Sequence, residues 1–128
     1  MNPHVSYPIA KDTPVSHLPF SPAVRVGDLI FVSGQASVDA TGKIVPDSFD
    51  GEFRRSVENL RKVLETAGSD LQHVIQTRNY VRDAAYVPRF NELYREYFSA
   101  PYPARTTITN CLPPTLHYEI ECVAVPRT

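Results

Sequence analysis

The sequence predicts an α+β domain, a mixed β-sheet with two helices packed on one face. Three observations predict it. Two stretches with helical periodicity, Gly51 to Ala67 and Ala84 to Phe98, stand between runs that alternate with a period of two. The run Leu29 to Val32 is apolar on both faces, so its sheet needs cover on both sides. Two helices can cover only one of those sides. The simplest cover for the other is a second copy of the chain, so self-association is expected.

Residues 1 to 22 carry Pro3, Pro8, Pro14, Pro19 and Pro22 without sustained periodicity, which reads as an extended arm over 1–18 with one short edge strand near Val5 to Ile9. Ala23 to Val26 and Leu29 to Val32 are strands joined by Gly27-Asp28. Glycine at the first turn position calls for a type II′ hairpin. Ser33-Gly34-Gln35 ends the second strand, Gly34 serving as a bulge or turn residue or as a place where backbone approaches a ligand. Asp39 to Asp50 is a polar loop, with Lys43 to Val45 as a possible short strand.

In the first helix Phe53, Val57, Leu60, Leu64 and Ala67 form the apolar stripe, and Gly68 is placed to stop it. Val74 to Arg82 alternates as a strand. The second helix tolerates Pro88 in its first turn and carries Phe90, Leu93, Tyr94 and Phe98 on its apolar face. After the Pro101-Tyr102-Pro103 turn comes a strand with Arg105, Thr107 and Thr109 on one face. A last strand runs from Leu116 to Val125, with Glu119 and Glu121 on one face and Tyr118, Ile120 and Cys122 on the other. No repeat or linker interrupts the 128 residues, so one domain over 1–128 is expected.

Composition narrows the function. Thirteen basic against 14 acidic side chains give a net charge of −1, which is not the footprint of a nucleic-acid binder. The opening residues Met1 to His4 show neither a charged nor an apolar leader region, and no apolar run is long enough to span a membrane. A chain of this length needs no disulfide, so Cys111 and Cys122 are expected as reduced thiols in a cytoplasmic protein. The four histidines lack metal-ligand spacing, no Cys-x-x-Cys is present, and no phosphate-binding glycine loop occurs. Neither a metal nor an organic cofactor is expected.

What remains is Arg105 with Glu119 and Glu121. A planar guanidinium beside short hydroxyl residues is a good receptor for a small carboxylate. An ordinary surface ion pair is the simpler account of the same arginine. Two glutamates on one face of a strand that ends Val-Ala-Val need partners: either Arg105, Arg78 or Arg25 in a structural ion pair, or a water and a substrate. Spacing does not choose between them.

The runs V-G-D-L-I-F-V-S-G-Q (26–35), E-N-L-R-K-V-L-E-T-A-G-S (58–69), F-N-E-L-Y-R-E-Y-F (90–98), P-A-R-T (103–106) and Y-E-I-E-C-V-A-V (118–125) occur in this order. With them the chain resembles, from about Pro19 to Val125, the Rid/YjgF family of reactive-intermediate (enamine/imine) deaminases, also called the L-PSP endoribonuclease family. The resemblance implies a chorismate-mutase-like fold and a homotrimer with clefts between subunits. It implies hydrolysis of small 2-imino or enamine acids, such as 2-aminoacrylate, to 2-oxo acids and ammonia. Arg105 matches the arginine that binds the substrate carboxylate, and Glu119 the acidic residue associated with the hydrolytic water. Gly34 and Thr107 match backbone donors, while Ser33 and Asn91 match pocket residues. Two positions depart from the family pattern. Phe20 stands where many deaminases carry tyrosine, and Thr107 where cysteine is common, which puts the substrate in question more than the reaction. Two further functions seen or conceivable in such proteins stay open: an RNA-binding endoribonuclease or translation inhibitor, and a non-catalytic metabolite-binding trimer.

Overall fold

The computed structural model describes residues 4–9 and 17–127. The strands are β1 (Val5–Ser6), β2 (Ala23–Val26), β3 (Leu29–Ala36), β4 (Val74–Val81), β5 (Ala104–Thr109) and β6 (Tyr118–Ala124), and the helices α1 (Phe49–Thr66) and α2 (Val87–Tyr97). They form one mixed six-stranded sheet in the order β1-β2-β3-β6-β4-β5, in which only β4 and β5 run parallel. Part of the arm expected over 1–18 lies outside the described residues.

Local chemistry explains most boundaries. Val26 pairs with Leu29 across the hairpin, and Gly27 has φ 56 while Asp28 keeps a negative φ, as a type II′ turn requires. Helix α1 starts two residues earlier than its periodicity suggests, because Ser48 caps it through a bond from the Gly51 N–H. It ends in a Schellman motif. Gly68 adopts φ 90, its N–H reaches Glu65 O, and the Ser69 N–H reaches Leu64 O at 2.8 Å. Residues 84–86 form a short 3-10 turn rather than the start of α2, and Pro88 occupies the first turn of that helix.

Both helices lie on one face of the sheet. Phe53, Val57, Leu60 and Leu64 of α1 and Phe90 and Leu93 of α2 pack with Ile30, Val32, Tyr118, Ile120 and Ala124, all buried. Among the described residues no helix covers the opposite face. Leu29, Phe31 and Ile108 are left about two-fifths exposed there, at 39%, 44% and 41%.

The strand expected to stop at Ser33 continues to Ala36. A register shift against β6 lies between Val32, which faces Cys122, and Gln35, which faces Ile120. Both Val32 and Gln35 point toward the helices, so the bulge inserts one residue and turns Gly34 to the open face. That face also carries Glu119, paired with Ala36.

One buried carboxylate ties the segment before β6 to α1. Glu52 has no solvent exposure. Its Oε1 accepts the His117 N–H at 2.8 Å, and Oε2 lies 2.5 Å from His117 Nδ1 and 3.3 Å from the Asp47 N–H. Glu52→Ala would leave two or three partly buried hydrogen bonds to a buried carboxylate unmade, at about 1–3 kcal/mol each. We expect a loss of about 3 kcal/mol in denaturant unfolding, with Glu52→Gln losing less. A change below about 0.5 kcal/mol, the range of ordinary surface substitutions, would refute this anchoring role.

Candidate functional site

Arg105 stands on the helix-covered side of β5, in register with Thr77 of β4. Its guanidinium carbon lies 4.9 Å from the Phe90 ring centroid and 5.0 Å from that of Tyr94. These rings come from the apolar stripe of α2, so the helix that builds the core also holds the arginine. Tyr94 is itself fixed, its hydroxyl 2.8 Å from Thr77 Oγ1. Arg105 opens on a cavity of about 320 Å³ shared with Asn91, Tyr94, Arg95, Tyr102 and Pro103. Among the described residues no carboxylate lies within ion-pairing distance of it. The ordinary surface ion pair, the simpler of the two expectations, is therefore absent among them.

Thr107 follows on the same face of β5. Its Oγ1 is buried and meets no hydrogen-bond partner among the described residues. Strand β5 is the sheet edge, so its outer backbone groups are also left for a ligand or another chain.

Glu119 lies elsewhere. It stands on the open face of β6, with the neighbouring Glu121 two residues on. The two glutamates, indistinguishable by alternation, have different surroundings. Tyr80 donates its hydroxyl to Glu121, and Arg78 lies 3.8 Å from it. Glu119 has no hydrogen bond or ion pair among the described residues, and burial first, then the Glu121 charge, raises its pKa. Arg25 joins neither, since it donates to Ala67 O. Cys122, on the helix side, is buried and its thiol is pushed up to about 12, chiefly by that burial, which suits a core residue.

Gly34 is required by Glu119. A Cβ at Gly34 would sit 2.8 Å from Glu119 Oε1 and 3.0 Å from its carboxyl carbon. Gly34→Ala is expected to keep the fold and displace that carboxylate by a few tenths of an ångström. If Glu119 is the acidic residue of the reaction, as the sequence resemblance implies, turnover should fall at least about tenfold, since small misplacements of a reacting group are costly. Wild-type turnover in this variant would mean that the position of Glu119 does not matter.

Glu119 and Gly34 line a second cavity of about 270 Å³ together with Leu18, Phe20, Pro22, Val38, Ile44 and Leu116. Ser33 fastens the wall that carries Phe20: its Oγ donates to Ser21 O at 2.5 Å and its N–H to Pro22 O at 2.9 Å. The Ser33 proton is thus used on backbone, which makes this residue a brace for the pocket. A wider cavity of about 620 Å³ along α1 shares Val38 with it but holds none of the sequence-predicted site residues, and its arginines are engaged, Arg54 with Glu96 and Arg55 with Asp47.

The sequence-predicted residues therefore fall into two groups. Arg105, Asn91 and Thr107 belong to one side of the sheet, Phe20, Gly34 and Glu119 to the other. Thr77 and Tyr80 of β4 face Arg105 and Glu119 respectively. Two strand spacings and three residues of rise separate the pair by roughly 14 Å, on opposite faces. Within one chain they do not form one site. Phe90, Tyr94 and Tyr102 escaped the sequence reading as site residues because an aromatic at helical spacing or between prolines looks like core or turn. Leu18, Ile44 and Leu116 carried no signal of their own.

Comparisons with known proteins agree with this architecture. The family model described as Endoribonuclease L-PSP matches residues 10–126. A RutC family protein of Pyrococcus abyssi is 37% identical over 108 residues, covering 83% of this chain and 85% of the relative. A 2-iminobutanoate/2-iminopropanoate deaminase of Dermatophagoides farinae is 30% identical over 109 residues, 84% of this chain and 85% of its own. The crystal structure of E. coli TdcF with bound serine superposes with a TM-score of 0.84 at 28% identity, over 95% of this chain and 99% of that one.

Proposed function

This chain belongs to the Endoribonuclease L-PSP family, the Rid/YjgF family of its sequence motifs, and from that premise we propose that it hydrolyses small 2-imino or enamine acids to 2-oxo acids and ammonia, in clefts shared between copies of a homotrimer. The observation that carries the reading is the separation just described. Arg105 and Glu119, each without an ionic partner among the described residues, stand at separate cavities on opposite sheet faces. Each is half of a site, and a second copy supplies the missing half. The uncovered apolar face around Leu29, Phe31 and Ile108 gives the copies a reason to associate. A deaminase among the relatives and serine bound to a similar structure support a ligand with a carboxylate and a nitrogen beside it.

In the proposed reaction Arg105 holds the carboxylate through its two parallel N–H groups, its guanidinium held over the rings of Phe90 and Tyr94. Glu119 of the other copy accepts a proton from water as the water oxygen bonds to the C=N carbon. The carboxyl returns that proton to nitrogen, giving the carbinolamine. The carboxylate then takes the carbinolamine hydroxyl proton and passes it to the amino nitrogen as the C–N bond breaks, so ammonia leaves and the C=O of the 2-oxo acid forms. No electron transfer is involved. The raised pKa of Glu119 makes it a better proton acceptor than an ordinary carboxylate.

The test is complementation. Arg105→Ala and Glu119→Gln, each inactive in ammonia release from 2-aminoacrylate made in situ, are unfolded together, refolded as a mixture and assayed. A shared cleft regenerates wild-type pairs of Arg105 and Glu119, so activity returns to a sizeable fraction of normal. A mixture as inactive as its parts would sink the shared site, and light scattering that reports monomers at micromolar concentration would sink the trimer.

A further inference from the structure

We infer that, within this proposed deaminase reading, the enzyme is selective for imino acids with a bulky apolar side chain, which the cavity beside Glu119 is built to take. The cavity is about 270 Å³. The methyl group of 2-iminopropanoate needs roughly 30 Å³, about the share of one water molecule, and an isobutyl group roughly four times that. A substrate with only a methyl group would leave most of the space to water.

The walls fit a hydrocarbon. Leu18, Phe20 and Pro22 come from the braced segment before β2, Val38 and Ile44 from a loop closed by a bridge between those two residues, and Leu116 from the turn before β6. In the single chain Leu18 and Phe20 remain 66% and 52% exposed at the mouth, apolar surface that a substrate side chain in the shared cleft would help to cover. Polar functions are few. Gln35 turns its side chain to the helix side, where one amide N–H donates to Ser33 O, and Glu119 is the charged residue of the lining. Phe20 adds to the effect, since a phenyl ring offers surface and no hydroxyl. A second carboxylate on the substrate would meet Glu119, like charge against like charge in a partly buried place.

Each methylene moved from water into an apolar site improves binding roughly fourfold. The three carbons that distinguish the leucine side chain from that of alanine therefore predict roughly a fiftyfold gain in kcat/KM. The experiment generates 2-imino acids in situ from L-leucine, L-phenylalanine, L-alanine and L-glutamate with amino-acid oxidases or dehydrogenases, and follows ammonia release by the intact protein. The expected order is leucine and phenylalanine imines well above the alanine imine, with the glutamate imine slowest. Phe20→Ala and Ile44→Ala, both in exposed or half-exposed positions, should each reduce the leucine-to-alanine ratio severalfold. Equal rates on the leucine and alanine imines, or a faster glutamate imine, would overturn the selectivity while leaving deamination standing. Unchanged ratios in both variants would overturn the assignment of this cavity. No hydrolysis of any imine would overturn the deaminase reading, and this inference with it.

Discussion

Arg105→Ala is expected to lower kcat/KM for imine hydrolysis by at least about a hundredfold while leaving the fold intact. Hydrogen bonds to a charged group contribute about 1.5–3 kcal/mol each, and a bidentate clamp loses two of them. Arg105→Lys should recover part of the loss and stay at least about tenfold below wild type, because an ammonium on a flexible stem presents no planar fork to the carboxylate. Arg105 is exposed and its only described contacts are the faces of Phe90 and Tyr94. Thermal melting should therefore change little, which separates a functional loss from a structural one. Near-full turnover by the lysine variant would end the assignment of Arg105 as the carboxylate receptor.

Glu119→Gln is expected to lower kcat by about 10²- to 10⁴-fold, the usual worth of a positioned proton acceptor, with a smaller effect on binding of a 2-oxo acid. The acid limb of the wild-type pH profile should lie above the usual glutamate value of 4.5, because burial disfavours the charged form of this side chain. Activity is then lost as pH falls through that raised value and Glu119 takes up a proton. Glu121, whose charge is the second cause of the shift, offers a control: Glu121→Gln should move the acid limb to lower pH. The same shift has a sign for stability. A carboxyl whose folded pKa exceeds its unfolded value contributes most below the unfolded value, and that contribution disappears as pH rises through the folded one. At neutral pH the charged Glu119 is a burden on the fold, so Glu119→Gln should melt no lower than wild type. A greater loss of turnover in Glu121→Gln than in Glu119→Gln would place the reaction at the wrong residue.

The elements and their faces were legible in the sequence because they rest on short-range rules. Phe53, Val57, Leu60 and Leu64 repeat at helical spacing, Gly27 and Gly68 stand where a positive φ is needed, and Tyr118 to Ala124 alternates without interruption. The motif resemblance carried the site list further than any spacing could. Where the reading fell short, the cause was non-local. The strand through Ser33 does not end there, because β6 pairs on past the bulge and its ladder outweighs the turn tendency of Ser-Gly. Glu119 and Glu121 share a face and a residue type, so only Tyr80 and Arg78, brought alongside from β4, tell them apart.

By itself, then, the sequence determined an α+β chain, two helices on one sheet face and a family, and its resemblance singled out two charged residues as candidates. Periodicity, turn conformations and side-chain chemistry are properties a residue carries wherever the chain goes. Only the tertiary structure decided that Arg105 stacks on Phe90 and Tyr94, that Gly34 closes against Glu119, and that these two centres lie on opposite faces of one sheet. Strand order and the β3 bulge set those relations. Both arise from pairing between segments far apart in the sequence, Ile30 with Ala124 for one, which no local pattern records.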